Sequence, residues 1–379
     1  MTDRFDYLAN TQAKLGFGLM RLPRIEGAVD IPQLNTMVDR FLDAGLAYFD
    51  TAFGYEDSEV SIGKALVQRH PRESFLLASK IPAFAAPSKE ASEQMLYTSL
   101  ERTGAGYFDY FLLHNLGAHR TAYFEDWDTW SFLAARKAEG LIKHVGFSFH
   151  DKAKLLDEVL TRHPETEFVQ LQINYTDWDD PRFEARECYE VARAHNTPII
   201  IMEPVRGGDL THLPPVAAEL FKATDPASTP ASWALRFAAS LEGVIVILSG
   251  MSNTQQMEEN ILTLADPQPF SVREREVLDT VRTEIDKIPT VPCTACEYCL
   301  KPCSQRINIP GILEAVNQYA RFGDKQAAGA TYGWNTDGHK MGKASDCIAC
   351  GSCEVVCPQH IEIIAELEKA ADLFEAKQA

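Results

Sequence analysis

The 379-residue sequence predicts an α/β chain: a (β/α)8 TIM barrel over residues 1–285, then a small, mainly helical, cysteine-rich domain over residues 286–379. Three observations predict it. Eight short apolar runs alternate with longer amphipathic stretches, which argues for a parallel sheet with helical crossovers. Eight of the nine cysteines fall in the last quarter of the chain, in two runs of one spacing. Between the two regions lies "DKIPTVPC", where two prolines follow a polar helical pattern and mark a boundary.

The barrel strands read in order as "KLGFGLM", "AYFDT", "FLLASK", "YFLLH", "HVGFS", "FVQLQ", "PIIIME" and "GVIVILS". Helical spacing of apolar residues fills the gaps, as in "DIPQLNTMVDRFLDAG", "DSEVSIGKALVQRH", "SKEASEQMLYTSLERTG" and "DKAKLLDEVLTRH". Eight such units in about 265 residues suit a closed barrel. A doubly wound open sheet is the competitor, but no G-x-G-x-x-G follows an early strand. In a barrel, function collects at the C-terminal strand ends. The last polar residues of the runs are Asp50, Lys80, His114, Ser148, Gln170, Glu203 and Ser249.

"CTACEYCLKPCSQRINIP" and "CIACGSCEVVCPQHIEI" each carry four cysteines at the spacing C-x2-C-x2-C-x3-C. Disulfides are the bland reading. "MTDRFDYLANTQAKL" does not resemble a signal peptide, and no stretch has the ~18 consecutive apolar residues of a membrane helix. The chain is therefore expected in the cytoplasm, where thiols stay reduced and cysteine patterns bind metal. Zinc sites usually separate their C-x2-C pairs and often recruit histidine. Four cysteines in eleven residues, written twice, instead match the bacterial run that holds [4Fe–4S] clusters. Pro358 follows Cys357 as that run requires, whereas Ser304 follows Cys303, so one cluster plus a structural half-site is an alternative. In two-cluster proteins the fourth cysteine of each run serves the other cluster. That rule assigns Cys293, Cys296, Cys299 and Cys357 to one cluster and Cys347, Cys350, Cys353 and Cys303 to the other. Helical spacing in "IPGILEAVNQYARF" and "IEIIAELEKAADLFEA" makes the surrounding module mainly helical and ferredoxin-like. Cys188, in "PRFEARECYEVARAH", reads as a packed side chain.

With 45% hydrophobic and 24% charged residues the chain can bury a large core. Its net charge of −18 argues against nucleic acid and anionic membrane as partners.

"FDTAFGYEDSEVSIGKAL", "ASK", "FLLH" and "SGMSNTQQMEENI" resemble the aldo/keto reductase family, over about residues 12–265. "IKHVGFSFHD" and "IIIMEPVRGG" are similar to its subgroup of predicted oxidoreductases with a C-terminal 4Fe-4S ferredoxin-type domain. The resemblance implies hydride exchange between NAD(P)H and a carbonyl or alcohol. It makes Tyr55 the proton donor, Lys80 its neighbour, Asp50 the anchor of the lysine and His114 the residue orienting the carbonyl. The chemistry supports those roles independently. An alkoxide formed by hydride addition must be protonated, and a free tyrosine with pKa near 10 is a reluctant acid. A nearby ammonium stabilises the phenolate, a carboxylate keeps the ammonium charged, and an imidazole N–H supports developing charge on the carbonyl oxygen. A satisfied histidine and an ordinary Lys–Asp pair are the bland readings of these residues.

For the cofactor, NADP(H) or NAD(H), the resemblance implicates Ser148 and Gln170 at the nicotinamide, and Ser249, Gly250, Ser252, Gln256, Glu259 and Asn260 after the eighth strand. Ser252 stands where many members carry an arginine for the 2′-phosphate, so cofactor preference is expected to be mild, unless Arg206 or Lys222 does that work. Phe149 and Met202 depart from the family pattern around the nicotinamide. Gly207 and Gly208 permit close approach of a ligand or form a plain turn. "NLGAHRTAYFEDWDTW" offers Tyr123, Trp127 and Trp130 to a substrate pocket or to packing. His119, His150 and His360 receive no role. Expected partners are a small carbonyl or alcohol substrate and an external ferredoxin-like carrier. The alternative is an electron-transfer or nicotinamide-sensing protein whose barrel only binds; the Asp50–Tyr55–Lys80–His114 set favours the enzyme.

Overall fold

A computed structural model describes residues 14–118, 120–293, 295 and 297–375. The chain forms two compact units. One holds the chain up to Val205 together with Ala231–Phe270, and the other holds Arg206–Pro230 together with the chain from Ser271 onward.

All eight apolar runs are strands of one closed, parallel barrel in the first unit. They are β1 (Leu15–Gly18), β2 (Tyr48–Asp50), β3 (Leu76–Ile81), β4 (Phe108–Leu116), β5 (Ile142–Phe149), β6 (Phe168–Gln172), β7 (Ile199–Met202) and β8 (Val244–Gly250). Closure is direct: Phe17 of β1 pairs with Phe49 of β2 on one side and Ser249 of β8 on the other. Every residue of "LLASKI" in β3 is buried, as a parallel strand covered on both faces requires.

Side chains alternate along each strand. Tyr48, Leu76, Ala78, Tyr110, Leu112, Phe168, Ile200, Val246 and Leu248 form a cluster of their own. Their neighbours Phe49, Leu77, Ile81, Phe111, Leu113, Val169, Ile201 and Ile247 belong instead to the larger core. The first set fills the barrel lumen; the second packs beneath the helices. Gly16 needs to be glycine here, because a Cβ would fall 2.6 Å from the Val246 side chain.

Helix α1 (Ile31–Asp43) starts where the Asp30 side chain accepts from the Gln33 amide, and it buries Leu34, Met37, Val38 and Phe41 on one stripe. Helix α2 (Lys89–Thr103) is capped by Ser88 and stopped by Gly104 at φ 68°. The expected helix "DSEVSIGKALVQRH" departs from regularity: Ser58–Ile62 is α-helical and Gly63–Val67 widens to a π turn. Gly63 opens that turn at a close approach, where a Cβ would meet the Thr103 carbonyl oxygen at 2.8 Å. The outer layer continues through α3 (Ala153–Arg162), α4 (Ala185–Ala194) and α5 (Thr254–Ala265), the last capped by Asn253.

In the second unit, α6 (Val272–Asp286) opens with a reciprocal Ser271–Glu274 capping box. Helix α7 (Ile309–Phe322) matches "IPGILEAVNQYARF" residue for residue, with Asn308 as cap and Pro310 in its first turn. Helices α8 (Lys325–Asn335) and α9 (Ile363–Phe374) complete the unit. Ile309, Ile312, Leu313, Tyr332, Ile363 and Leu367 form its core, to which the cysteine runs attach. Among the described residues, no helix is long and apolar enough to cross a membrane.

Candidate active site

The lumen series extends upward into polar residues. Asp50 follows Tyr48, Lys80 follows Leu76 and Ala78, and His114 follows Tyr110 and Leu112, each two residues on. Ser148 follows Gly146 and Gln170 follows Phe168 by the same step, and the two are register partners on β5 and β6. Period two therefore sends all five toward the lumen at its C-terminal mouth. Tyr55 arrives from the turn after β2, held by its amide on the Ala52 carbonyl at 3.0 Å.

These side chains meet. The Lys80 ammonium is fully buried and pairs with Asp50. It also donates to the Thr51 carbonyl at 2.8 Å and lies 3.4 Å from the Tyr55 hydroxyl. The second Asp50 oxygen accepts from Gln170 Nε2 at 3.2 Å. The His114 and Tyr55 rings stand edge to face, 5.8 Å between centroids. His114 Nδ1 is buried with no hydrogen-bond partner among the described residues.

Burial raises the Asp50 carboxyl above its usual range against the pull of Lys80. Burial alone would depress Lys80, but Asp50 and Tyr55 outweigh it and hold the ammonium above its ordinary value. For Tyr55 burial is the largest influence and raises the phenol, while Lys80 opposes it. The lysine thus acts in the expected direction, yet burial dominates and keeps Tyr55 protonated. His114 is pushed well below the ordinary histidine range by burial, then by Lys80, His150 and Arg120, so its imidazole is neutral.

The expected nucleotide residues divide. Ser148 is buried at the mouth and its Oγ accepts from the Asn115 amide at 2.7 Å. Ser249 lies out of the lumen series, and Asn260 of α5 donates to its hydroxyl at 3.0 Å. Gly250, Ser252, Gln256 and Glu259 surround the start of α5, whose free amides suit phosphate. Ser252 donates to the Arg21 carbonyl at 2.9 Å, and its amide is held by Gln256 at 2.8 Å. Arg21, which the sequence did not single out, also lies beside these residues. Its stem passes within 3.9 Å of a Cβ placed on Gly250, and its guanidinium reaches Glu203 at 3.6 Å. The available signal was a basic residue three positions beyond the end of β1. Glu203 adopts φ 55°, a backbone position rare for a non-glycine residue, at the C-terminal end of β7. Arg206 is paired with Asp209 at 2.9 Å within the second unit. Gly207 and Gly208 take φ of 68° and 114°, so that turn requires them.

The cysteines fall into two cavities. Cys303 joins Cys347, Cys350 and Cys353 around one, and Cys357 joins Cys293 and Cys299 around the other. Cys296 lies outside the described residues. Where both are described, the two runs share one backbone conformation. Positive φ occurs at Ala295, Glu297 and Arg306 in the first and, at the same places, at Ala349, Gly351 and His360 in the second. Cys303 N–H donates to Leu300 O as Cys357 N–H donates to Glu354 O, and Ile309 to Ile307 as Ile363 to Ile361. Ser304 in place of proline leaves this conformation intact. Soft thiolates converging from both runs fit an iron–sulfur cluster at each cavity.

Other features are structural. Trp130 is buried, stacked on His163 at 3.9 Å, and so belongs to packing. Tyr123 and Trp127 pack on each other. Cys188 is buried and its thiol is pushed up to about 12 by burial. A cavity of about 410 Å3 near His144, His163 and His195 lies at the N-terminal strand ends, away from the lysine and tyrosine. Each of these histidines has a carboxylate partner.

Residues 14–271 match the aldo/keto reductase family, and residues 292–362 match a 4Fe-4S dicluster domain. An aldo-keto reductase from Mycolicibacterium vanbaalenii is 27% identical over 255 residues, 66% of this chain and 82% of that protein. One from Strobilurus tenacellus is 29% identical over 212 residues, 52% of this chain and 60% of that protein. The holo form of an aldo-keto reductase from Bacillus halodurans superposes with TM-score 0.58 at 23% identity, over 71% of this chain and 91% of that one. An NADPH complex of an aldo-keto reductase from Klebsiella pneumoniae gives 0.57 at 20% identity, over 71% and 90%.

Proposed function

We propose, from the premise that the chain belongs to the aldo/keto reductase family, that it reduces a small carbonyl compound, or oxidises the alcohol, with Tyr55 as the acid–base group. The observation that carries this reading is the meeting of Tyr55, Lys80, Asp50 and His114 at one barrel mouth. A bound nicotinamide would supply the hydride. The protonated Tyr55 hydroxyl stands ready to give its proton to the oxygen that gains charge. Lys80 stabilises the phenolate left behind, and Asp50, steadied by Gln170, keeps the ammonium in place. Neutral His114 offers an N–H to the same oxygen without adding a charge to be neutralised. Steady-state NADPH oxidation with a panel of aldehydes and quinones tests the reading; no turnover with any of them would favour a binding or sensing barrel.

NADP(H) is supported by the complexes of fold relatives and by the α5 start, where Arg21, Ser252 and Gln256 would hold the nucleotide phosphates. Ser252 brings no charge. A bidentate charged contact contributes about 1.5–3 kcal/mol, roughly ten- to a hundredfold in affinity. Fluorescence titration is therefore expected to show NADPH favoured over NADH by less than about a hundredfold. A preference beyond a thousandfold would assign 2′-phosphate recognition to Arg21.

In the second unit, two [4Fe–4S] clusters would be held by Cys293, Cys296, Cys299 and Cys357 and by Cys347, Cys350, Cys353 and Cys303. Such clusters pass one electron at a time, whereas nicotinamide gives two as hydride. The chain carries no glycine fingerprint of a Rossmann flavin site. NADPH added anaerobically is expected to leave the clusters oxidised during turnover, as read by electron paramagnetic resonance. A strong reduced-cluster signal within one turnover, without flavin, would overturn this. An external ferredoxin-like carrier is then the proposed exchange partner, in a reducing compartment such as the cytoplasm.

A further inference from the structure

Between β4 and the short helix Thr121–Asp126, the chain builds a seat for one arginine. Arg120 Nε donates to the Asn115 carbonyl at 2.6 Å. Its guanidinium carbon lies 6.0 Å from the ring centroid of Phe84, in the loop that follows Lys80 and β3. The backbone at Gly117 makes room for it: a Cβ there would stand 2.7 Å from Arg120 Nη2. Asn115 takes φ 63° to turn its carbonyl toward this site. A fixed guanidinium fork is therefore presented beside the C-terminal mouth.

No carboxylate oxygen lies within ion-pair distance of that fork among the described residues, although the charge of Asp151 acts on it from further away. The nearest acid is Asp151, whose two oxygens already accept from the backbone amides of Ala118, at 2.7 Å, and Lys152, at 2.8 Å. Glu203, a half-buried carboxylate at the end of β7, is engaged by Arg21. Lys80 is neutralised by Asp50. Asp151 offsets the Arg120 charge in part without pairing with it, and that charge still reaches His114, whose imidazole it disfavours from charging. A half-buried guanidinium whose unused donors lie in one plane is shaped for two parallel hydrogen bonds to a carboxylate.

We infer that Arg120 selects substrates, and that the preferred carbonyl compounds carry a carboxylate which Arg120 binds while His114 and Tyr55 hold the carbonyl oxygen. This rests on the carbonyl-reduction reading above and deepens it. Arg120 follows β4, on the far side of the mouth from the α5 start that suits nucleotide phosphate, so a substrate group is the better match than cofactor.

The test compares 4-carboxybenzaldehyde with its methyl ester, using the full-length holoprotein and NADPH. The expected result is a kcat/KM ratio favouring the acid by about ten- to a hundredfold, carried mainly by KM. In Arg120→Met the ratio should collapse toward one, and Arg120→Lys should restore part of it through its charge. Equal rates for both aldehydes in the parent protein would overturn the inference and leave carbonyl reduction standing. So would an Arg120→Met variant that lowers both rates equally, or one that weakens NADPH binding by as much. Calorimetric titration of the NADPH-loaded protein with benzoate and with benzamide supplies a readout independent of turnover. Tighter benzoate binding that Arg120→Met abolishes would support the carboxylate site even if neither aldehyde is reduced, and in that case carbonyl reduction alone fails. No difference between benzoate and benzamide would sink the inference.

Discussion

Tyr55→Phe is expected to lower carbonyl reduction by about 10²- to 10⁴-fold, the usual contribution of a positioned acid, with NADPH affinity and iron content unchanged. Phenylalanine keeps the ring that packs edge to face on His114 and removes only the hydroxyl that stands 3.4 Å from Lys80. Tyr55 is a cleaner target than Lys80 or Asp50. Removing one member of a buried ion pair strands the other charge at a cost of about 3–5 kcal/mol, so those variants test folding before chemistry. The pH dependence follows from the sign of the shifts. Burial raises Tyr55 above its ordinary value, so the donor stays protonated through the neutral range. Reduction should therefore hold steady there and fall only above the ordinary phenol pKa of about 10, while alcohol oxidation should rise as pH increases. Steady-state rates against fluorescence-measured cofactor affinity separate the two effects. Parent-like activity in Tyr55→Phe, within tenfold, would show that another group delivers the proton.

Anaerobically purified protein is expected to be brown and to hold about eight iron atoms per chain, two four-iron clusters. Paired substitutions then report which cysteines share a cluster. Cys303 lines one cavity with Cys347, Cys350 and Cys353, and Cys357 lines the other with Cys293 and Cys299. Cys293→Ser with Cys357→Ser should damage one cluster and leave about four iron atoms, whereas Cys293→Ser with Cys303→Ser should damage both. The opposite pattern would mean that each run closes its own cluster. About four iron atoms in the parent would reduce the count to one cluster, and zinc in place of iron would remove the assignment altogether.

Much of this was legible in the sequence because two of its periods are short. Strand alternation repeats every two residues, so "FLLASK" already sends Lys80 to the face that Leu76 and Ala78 share. The spacing of the cysteine runs is likewise local, and the same turns of backbone recur at both. Helix α7 could be read to the residue because Asn308, Pro310 and Gly323 mark its ends within the chain itself. Other features depend on residues far apart in sequence. Arg21 meets the start of α5 only because β1 closes the barrel against β8. Arg120 gains meaning from Gly117 and Asn115 beside it and from Phe84 on a different loop. The segment Arg206–Pro230 falls between two barrel strands in sequence, yet clusters with the second unit. Trp130 could not be divided between pocket and core until His163 was found stacked on it. The protonation of Tyr55 was decided by the tertiary structure as well. A lysine nearby implied a lowered pKa, but desolvation scales with everything that surrounds the phenol, and here the enclosing barrel mouth outweighs the single charge.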